Sequence, residues 1–420
     1  MLELRRVHRL RGAGPPLRRF GTEPPLSARV DVAPTARFTL PDTGLGQGWE
    51  AAALTVTTLL LVSFGLVTLY SASGFLAQRQ SLPDWYYVVR QAAGAGAGLM
   101  ILWAASRTPY RFWQLCAWPL LMVVIIALVV VILPGTRAIS PEINGARRWI
   151  TAGPLTFQPS EIAKIAVVVW TAALAVKKQG EFASLTRGLA PFLIGWGLLL
   201  VPILLEPNLS TTCVVAALGG LVVFAAGGRI AHFGFLGLLA LPLLRAQLGV
   251  GFRAQRMMSF FDQAADPTGA GFQVRQSLIA IGSGGLTGVG FGEGRQKFGF
   301  LPEAHNDFIF AMVGEEWGLL GVVFLVVLYT ILVLLGLRVS RRAPDEFGQL
   351  LAIGLTGVIG VQALLHMAVG LALVPPTGLA LPLVSYGRSN QIVTLAALGM
   401  LIAVARATDP DGRRGGMHRG

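Results

Sequence analysis

The chain has 420 residues, of which 54% are hydrophobic and 13% are charged, and its mean hydropathy is +0.64. Soluble domains of this length are more polar, so the composition excludes an ordinary soluble protein. The formal net charge of +13 is assigned to membrane topology and to contact with anionic lipid, and it does not predict a nucleic-acid partner.

The elements follow from the lengths of the apolar runs. About 20 apolar residues cross the hydrocarbon core of a bilayer, and repeated runs of that length predict an all-α polytopic membrane protein with about ten transmembrane helices. The runs lie near 51–72, 87–105, 113–133, 158–176, 189–206, 209–227, 231–249, 307–337, 348–374 and 387–405. Residues 1–47 are rich in Arg and Pro and predict a disordered basic cytoplasmic tail without a signal peptide. The transmembrane domain is then 48–406, and 407–420 form a second cytoplasmic tail.

Lys and Arg residues indicate the orientation, because the cytoplasmic loops of membrane proteins collect them. Ten spans place both Arg-rich termini on one side, together with short loops that carry residues such as Arg107, Lys177 and Arg338. That side is predicted to be cytoplasmic. The long outer loops are then about 134–157 and, between helices 7 and 8, about 250–306.

Basic residues run against this trend on the outer side, yet both outer loops contain them. Arg presents a planar fork of donors to phosphate oxygens and Lys supplies a compact charge, so the cluster predicts an anionic ligand such as a lipid diphosphate. For any single Arg, pairing with a loop acid or contact with a lipid headgroup is an equally good explanation. The candidates are Arg147, Arg148, Arg253, Arg256 and Lys297.

The segment Leu301-Pro-Glu-Ala-His-Asn-Asp-Phe-Ile-Phe310 brings three ionisable residues to the outer start of the eighth span, namely Glu303, His305 and Asp307. Ionisable groups at membrane depth are functional candidates by default. At about 100° per residue, Glu315 lies roughly 80° round the helix from Asp307, whereas Glu316 falls nearly opposite. We therefore expect Glu315 to shape the field of the same cavity or to bind a partner helix, without touching Asp307.

Polar residues also lie inside the predicted spans. Glu161 and Lys164 are spaced i and i+3, which favours an ion pair on one helix face, with a role in substrate binding as the alternative. His366 is interpreted as a residue that hydrogen-bonds between helices, and a proton relay is the less favoured reading. Cys116 and Cys213 lack ligand spacing, so no disulfide or zinc site is predicted.

Two further segments are candidates for contact with a substrate. The glycine-rich stretch Gly282 to Gly294 lacks the strand-to-helix context of a phosphate loop and predicts a flexible outer loop that admits a bulky substrate. Ser385 lies in Ser385-Tyr-Gly-Arg-Ser389 at the start of the tenth span. It has no nearby His or Lys that would mark a nucleophile, and it remains a candidate for substrate binding.

A series of motifs runs in order through nearly all of the chain between about 50 and 406. The motifs are Asn144-Gly-Ala-Arg-Arg-Trp149, Phe157-Gln-Pro-Ser-Glu161 with Lys164, Glu206-Pro207, Gln296-Lys297, the 301–310 segment, Gly314-Glu-Glu316, Pro376-Thr-Gly378 and Pro382-Leu-Val-Ser-Tyr-Gly387. Together they resemble the SEDS family of bacterial peptidoglycan polymerases. Gln296-Lys297 just before Leu301 looks more like the FtsW-like division branch than the RodA-like elongation branch.

The resemblance implies a ten-helix glycosyltransferase that acts on lipid II and the growing glycan chain at the outer face of the cytoplasmic membrane, at the division septum. It implies a class B penicillin-binding transpeptidase and other divisome membrane proteins as partners. The essential acid of the family maps onto Asp307, which would take the proton from the attacking hydroxyl. Partial desolvation would raise the pKa of this carboxyl from about 3.9.

The other candidate residues have roles that the resemblance implies less directly. The leaving diphosphate needs cationic stabilisation, for which the basic residues named above and a divalent cation, Mg²⁺ or Mn²⁺, are candidates. No nucleotide cofactor is expected. The further candidates for binding lipid II are Glu303, His305 and Ser385, and those for supporting the site are Glu161, Lys164 and Glu315.

The chain departs from the family pattern at several positions. Asn208 replaces the usual Asp after the fifth span, and Arg388 and Asn390 replace Gly and Ser near the tenth. These changes leave Asp307 intact, so activity remains the prediction. The alternatives are a RodA-like elongation polymerase, a lipid II flippase and a non-catalytic division scaffold.

Overall fold

The computed structural model describes residues 48–408, apart from positions 144, 154, 183, 250 and 262–268. The predicted tail 1–47 and positions 409–420 of the predicted C-terminal tail lie outside the described residues.

The protein is an all-α polytopic membrane protein. Eight helical segments of the described chain are long and apolar enough to cross a membrane, and one of them, Thr186–Leu205, combines a π-helical turn with the α-helix that follows it. Two shorter apolar helices, Ala117–Ile132 and Leu209–Ala225, accompany them. In chain order the helices are α1 (Trp49–Arg79), α2 (Tyr86–Arg107), α3 (Tyr110–Leu115), α4 (Ala117–Ile132), α5 (Pro159–Lys177), α6 (Ala190–Leu205), α7 (Leu209–Ala225), α8 (Ile230–Leu248), α9 (Gly251–Phe261), α10 (Ala270–Ser283), α11 (Ile309–Arg342), α12 (Glu346–Gly370) and α13 (Arg388–Ala407).

Each predicted span coincides with helical structure, although the count of ten spans stays a prediction. The third span is divided into α3 and α4 at Cys116. Pro119 follows closely in the first turn of α4, and a proline has no N–H to donate to the preceding turn, which favours a break there.

The predicted outer loops contain regular structure that the apolar pattern did not indicate. In the first loop, β1 (Ile150–Ala152) and β2 (Leu155–Phe157) form an antiparallel hairpin in which Thr151 pairs with Thr156. The second loop contains α9 and α10, followed by the turn-rich segment 284–308.

The helices have two distinct ends. At one end, Glu50 accepts from Arg338 and Arg342 at 2.9 Å each, which joins the start of α1 to the end of α11. Arg111 pairs with Asp345 at 2.9 Å, so α3 meets the start of α12. We call this the arginine-rich end, and we call the opposite end, which carries the 284–308 segment, the Asp307 end.

Helices α2 and α13 pack against each other from the Asp307 end to the arginine-rich end. The two helices run parallel and lie in contact along most of their lengths. A Cβ atom added to Gly399 would lie 2.5 Å from the carbonyl oxygen of Leu102, so the backbones approach as closely as only glycine permits. On its other side α13 contacts α5 and α12, and α5 is almost wholly buried.

Helix α11 is interrupted at Gly318, which has φ +63°. The amides of Val289 and Gly290 donate to the carbonyl oxygens of Glu315 and Glu316 at 3.0 and 3.3 Å, in place of helical hydrogen bonds. A Cβ atom at Gly318 would lie 2.3 Å from the nitrogen of Gly288. The small residues of the glycine-rich stretch let it pack against α11 and supply the hydrogen bonds that the break removes. Its flexibility and its role in admitting a substrate stay predictions.

Candidate active site at the Asp307 end

A tight turn presents Asp307 immediately before α11. The amides of Asn306 and Asp307 both donate to the carbonyl oxygen of Glu303, at 3.0 and 2.9 Å, and Glu303 has φ +54°. The apolar residues on the far side of the turn, Phe308 and Ile309, are fully buried. The buried Phe308 and Ile309 thus anchor the turn to the core, and the turn itself carries the carboxylates of Glu303 and Asp307.

The Asp307 carboxylate is more enclosed than the residue as a whole. The residue keeps some solvent access, but Oδ1 is shielded and has no hydrogen-bond partner among the described residues. Oδ2 faces Gly378, where an added Cβ atom would lie 3.7 Å away. Burial raises the pKa of this carboxyl from 3.8 to about 6, with a further rise from the negative charge of Glu303 and an opposing effect of Arg256. Asp307 is therefore mostly ionised at neutral pH, yet more basic than an ordinary aspartate.

His305 lies in an aromatic cluster behind the turn. Its ring centroid is 5.4 Å from that of Tyr87 and 5.7 Å from that of Tyr386, and its carbonyl oxygen accepts from the Tyr386 amide at 3.1 Å. Burial lowers the pKa of the imidazole to about 4. His305 is consequently neutral near pH 7 and packs the turn against α2 and the 379–387 segment.

Ser385 ties the same segments together. Its hydroxyl donates to the carbonyl oxygen of Asn306 at 2.7 Å and accepts from the amide of Leu381 at 2.9 Å. Gln91 of α2 holds the next residues, donating to Ser385 O at 3.0 Å and accepting from Gly387 N at 3.1 Å. The Ser385 hydroxyl is buried and used within the protein, so in this structure it positions the neighbour of Asp307.

The two adjacent carboxylates of α11 hold the glycine-rich segment. Glu315 accepts from the amides of Arg295 and Gln296, at 2.7 and 3.2 Å, instead of contacting a partner helix. Glu316 accepts from Lys297 Nζ at 2.8 Å and from a serine hydroxyl of α1 at 2.5 Å. The helical projection placed Glu315 and Glu316 on different faces of the helix. In the structure both of them accept hydrogen bonds from the 295–297 segment.

Lys297 is a predicted ligand of the diphosphate, and its ammonium lies inside this cluster. Besides Glu316, its Nζ donates to Ser71 Oγ at 2.8 Å and to Gly292 O at 2.6 Å. Its side chain is only 6% exposed. Its charge is therefore neutralised here, and Lys297 also lines a small cavity of about 220 Å³ together with Ser71 and Gly292.

Arg147 and Arg148 hold the 134–157 loop in place through hydrogen bonds to carbonyl and hydroxyl oxygens. Arg147 donates to Leu133 O, Ser140 O and Thr136 Oγ1 at 2.8 to 3.0 Å. Arg148 donates to the carbonyl oxygens of Glu206 and Pro207 at 3.0 and 2.8 Å, which joins the loop to the turn between α6 and α7.

A buried acid lies beneath this contact. Glu206 is 1% exposed, and neither of its carboxylate oxygens has a hydrogen-bond partner in the described part of the chain. Burial raises the pKa of Glu206 to about 8, although the nearby charge of Arg148 opposes the shift. The acid is therefore mostly protonated at neutral pH. Asn208, one of the departures from the family pattern, caps α7 by accepting from Thr211 N at 3.3 Å.

Among the predicted cations, Arg256 is the one whose positive charge affects the pKa of Asp307. It lies on α9, is exposed, and lowers the pKa of the Asp307 carboxyl. Arg253 lies on the same helix, but its side chain is outside the described part of the structure.

The predicted pairing of Glu161 with Lys164 is confirmed, with Nζ 2.6 Å from Oε2 and the lysine 1% exposed. Gln362 accepts from the lysine at 2.8 Å, and Asn390 donates to the glutamate at 2.8 Å. Gln362 and His366 then bond the carbonyl oxygens of residues 380 and 379, at 2.7 Å each. His366 thus contacts an extended segment, not a second helix, and the network fixes the chain next to Gly378.

Two arginines beside Tyr386 were not among the predicted site residues. Arg90 donates to the Tyr86 hydroxyl, and Arg388 donates to Thr156 Oγ1 at 2.9 Å. Burial raises the pKa of Tyr386, and both arginine charges oppose that shift. The sequence signal that could have identified them is the position of each arginine near the start of an apolar run, 87–105 for Arg90 and 387–405 for Arg388.

Among the described residues, no group of three or more His, Cys, Asp or Glu side chains could hold a metal ion. A Mg²⁺ ion bound by one or two carboxylates and substrate phosphates does not need such a group. Asp307 and Glu303 are the residues that would hold it, and the predicted divalent cation remains a proposal.

Comparison with known proteins gives consistent results. The family model described as "Cell cycle protein" (FTSW_RODA_SPOVE) matches residues 51–409. A probable peptidoglycan glycosyltransferase FtsW of Geobacter metallireducens is 40% identical over 346 residues, which cover 82% of this chain and 92% of that protein. Stage V sporulation protein E of Bacillus subtilis is 37% identical over 355 residues, 84% of this chain and 96% of the relative.

Solved structures show the same similarity. A structure described as the structural coordination of polymerization and crosslinking by a peptidoglycan synthase complex matches with TM-score 0.69 and 32% identity, covering 85% of this chain and 98% of the other. Rod shape determining protein RodA of Thermus thermophilus matches with TM-score 0.60 and 28% identity, covering 86% and 98%.

Proposed function

The chain belongs to the FtsW, RodA and SpoVE family of cell cycle proteins, and on this basis we propose that it is a peptidoglycan glycosyltransferase that joins lipid II units into glycan strands. The observation that carries the proposal is the Asp307 carboxylate. It lies where a membrane helix begins, with one oxygen shielded and without a partner among the described residues, and its pKa is raised to about 6.

These properties suit a general base. In the reaction, a sugar hydroxyl of one substrate attacks the anomeric carbon of the other. As the new carbon–oxygen bond forms, the hydroxyl proton passes to Asp307, and the bond to the diphosphate breaks with its electron pair leaving on the diphosphate. A base is most effective when its pKa approaches the working pH while it stays ionised.

The cations near the site support stabilisation of the leaving group. Arg256 is exposed and electrostatically coupled to Asp307, so its charge is available where diphosphate charge would develop. Arg90 and Arg388 are further candidates at the outer edge. A divalent cation would add positive charge at the diphosphate.

We further propose the biological setting. The FtsW names of the relatives support a role in division. The likeness to a peptidoglycan synthase complex supports a class B penicillin-binding transpeptidase as partner. The distribution of Arg and Lys supports both termini in the cytoplasm and the Asp307 end outside, in the bacterial inner membrane at the septum.

The test is polymerisation of lipid II by the purified protein with its transpeptidase partner. Asp307→Ala should lower the rate by about 100-fold or more, the usual contribution of a general base. Glu293→Ala is the matched control, because Glu293 is an exposed acid of the same outer region and its loss should leave the rate nearly unchanged.

Undiminished polymerisation by a folded Asp307→Ala protein would refute the role of Asp307. Transport of lipid II across vesicles without any product would indicate a flippase. Support of division by Asp307→Asn would indicate a non-catalytic scaffold.

A further inference from the structure

A cavity of about 870 Å³ opens at the arginine-rich end of the molecule, remote from Asp307. It lies between the ends of α2 and α13, the start of α3 and the turn between α11 and α12. The roughly 20 residues of α13 separate it from the outer end by about 30 Å. It therefore belongs to neither the proposed active site nor the outer loops.

Three arginines line this cavity, namely Arg107, Arg111 and Arg406, and no acidic side chain is among its described lining residues. Arg111 is paired with Asp345 at its edge. Arg406 donates to the carbonyl oxygen of Ser106 at 3.2 Å. The side chain of Arg107 makes no hydrogen bond or ion pair within the described part of the chain, and its guanidinium lies 4.7 Å from the centre of the Trp103 ring. The cavity thus has a net positive charge and unused donors.

Arginines at helix C-termini compensate the helix dipole, and this accounts for the positions of Arg107 and Arg406. Compensation of the helix dipole does not explain why a cavity lies between Arg107 and Arg406. A guanidinium has five N–H donors, and those of Arg107 are left to solvent or to a ligand. The hydroxyls of Ser106 and Thr108 also line the cavity, but they donate to the carbonyl oxygens of Trp103 and Ala104. The donors that phosphate oxygens require are therefore supplied by the arginines.

We propose that this cavity binds a phosphate group, with the phosphodiester headgroup of an anionic lipid as its source. Trp103, which stacks on Arg107, is exposed on the outside of the bundle, as expected for a residue at the membrane interface. The remaining lining is apolar and includes Pro109, Ala403 and Ala407, which suits the glycerol and upper acyl chain of a lipid. Basic pockets between transmembrane helices bind such headgroups in general.

The experiment titrates the full-length protein in detergent with dioleoyl phosphatidylglycerol and counts bound lipid by native mass spectrometry, with dioleoyl phosphatidylcholine as the neutral comparison. Wild type should retain phosphatidylglycerol preferentially. The double variant Arg107→Gln, Arg406→Gln should weaken its binding by about 25-fold, from about fivefold per arginine. The matched control Lys177→Gln, Arg187→Gln removes two exposed charges elsewhere and should change binding less than about twofold.

A second variant tests the cavity without changing charge. Ala403 is a buried lining residue, and Ala403→Leu should fill the space and reduce lipid retention. Equal retention of the two lipids by wild type, equal losses in the double variant and its control, or unchanged binding by folded Ala403→Leu would each overturn the proposal. Inorganic phosphate is added as a competitor. Failure to displace phosphatidylglycerol supports the lipid as the source, whereas displacement supports a site for free phosphate.

Discussion

The pH dependence of polymerisation is the most direct consequence of the environment of Asp307. If the ionised carboxylate is the base, activity is lost as the pH falls through its pKa. Burial and the charge of Glu303 raise that pKa from 3.8 to about 6, against the effect of Arg256. The acid limb of the rate profile should therefore have its midpoint near pH 6.

The raised pKa makes a large difference to the expected rates. With a pKa of about 6, the ionised fraction falls from about nine-tenths at pH 7 to about one-tenth at pH 5, which is roughly a tenfold loss of rate. With an unperturbed carboxyl, the same change of pH would lower the rate by less than about a tenth. His305 has a pKa of about 4, so it stays neutral throughout this range and cannot produce the limb.

Two variants should shift the midpoint in opposite directions. Glu303→Gln removes a negative neighbour and should lower the pKa of Asp307, so it should retain more activity than wild type at pH 5 relative to its own plateau. Arg256→Gln removes a positive neighbour and should raise that pKa. Arg295→Gln, which changes an exposed arginine of the same outer region, serves as the charge control.

The assay is initial-rate polymerisation of lipid II between pH 5 and pH 8, with thermal unfolding measured at each pH to exclude acid denaturation. A wild-type midpoint near pH 4, or shifts of Glu303→Gln and Arg256→Gln in the same direction, would refute the assignment of the limb to Asp307.

Three further predictions concern stability and are measured by thermal unfolding in detergent. The folded-state pKa of Glu206 is raised from 4.5 to about 8, so folding favours the protonated acid. The contribution of this acid to the free energy of unfolding is therefore complete below about pH 4.5 and is lost as the pH rises through about 8. Glu206→Gln should remove this decline and unfold at a higher temperature than wild type at pH 9; parallel profiles would contradict it. Lys164→Met leaves Glu161 buried without its cation and should cost about 3–5 kcal/mol, much of it regained when Glu161→Gln is added; no regain would argue against the pair. Gly318→Ala should lower the free energy of unfolding by at least about 2 kcal/mol, because φ is positive and the methyl group would collide with the backbone of Leu286 and Gly288. Gly197→Ala is the control, since its methyl group would enter open space and should leave stability unchanged or raise it.

The candidate site was only partly predictable from the sequence. The 301–310 segment marked Asp307 because ionisable residues seldom lie beside a long apolar run. The pairing of Glu161 with Lys164 followed from spacing within one helix. Ser385 and Lys297 were predicted to contact substrate, and the structure shows their polar atoms bonded within the protein.

The sequence alone determined the fold class and the approximate positions of the apolar helices, since each span is a local property. A run of about 20 apolar residues must form a helix in a bilayer to satisfy its backbone, and the predicted spans coincide closely with helical structure. The arginine pattern likewise separated the two ends of the molecule.

Only the tertiary structure decided the partners of the polar groups. Lys297 contacts Ser71, which is 226 positions away, and Asn390 contacts Glu161 across 229 positions. The coupling of Arg256 to Asp307 and the packing of the glycine-rich stretch on α11 also depend on how distant segments fold together. Hydrophobic patterns record which residues are buried, but a buried charge can be satisfied by many alternative groups, and only the packed arrangement of the helices selects one.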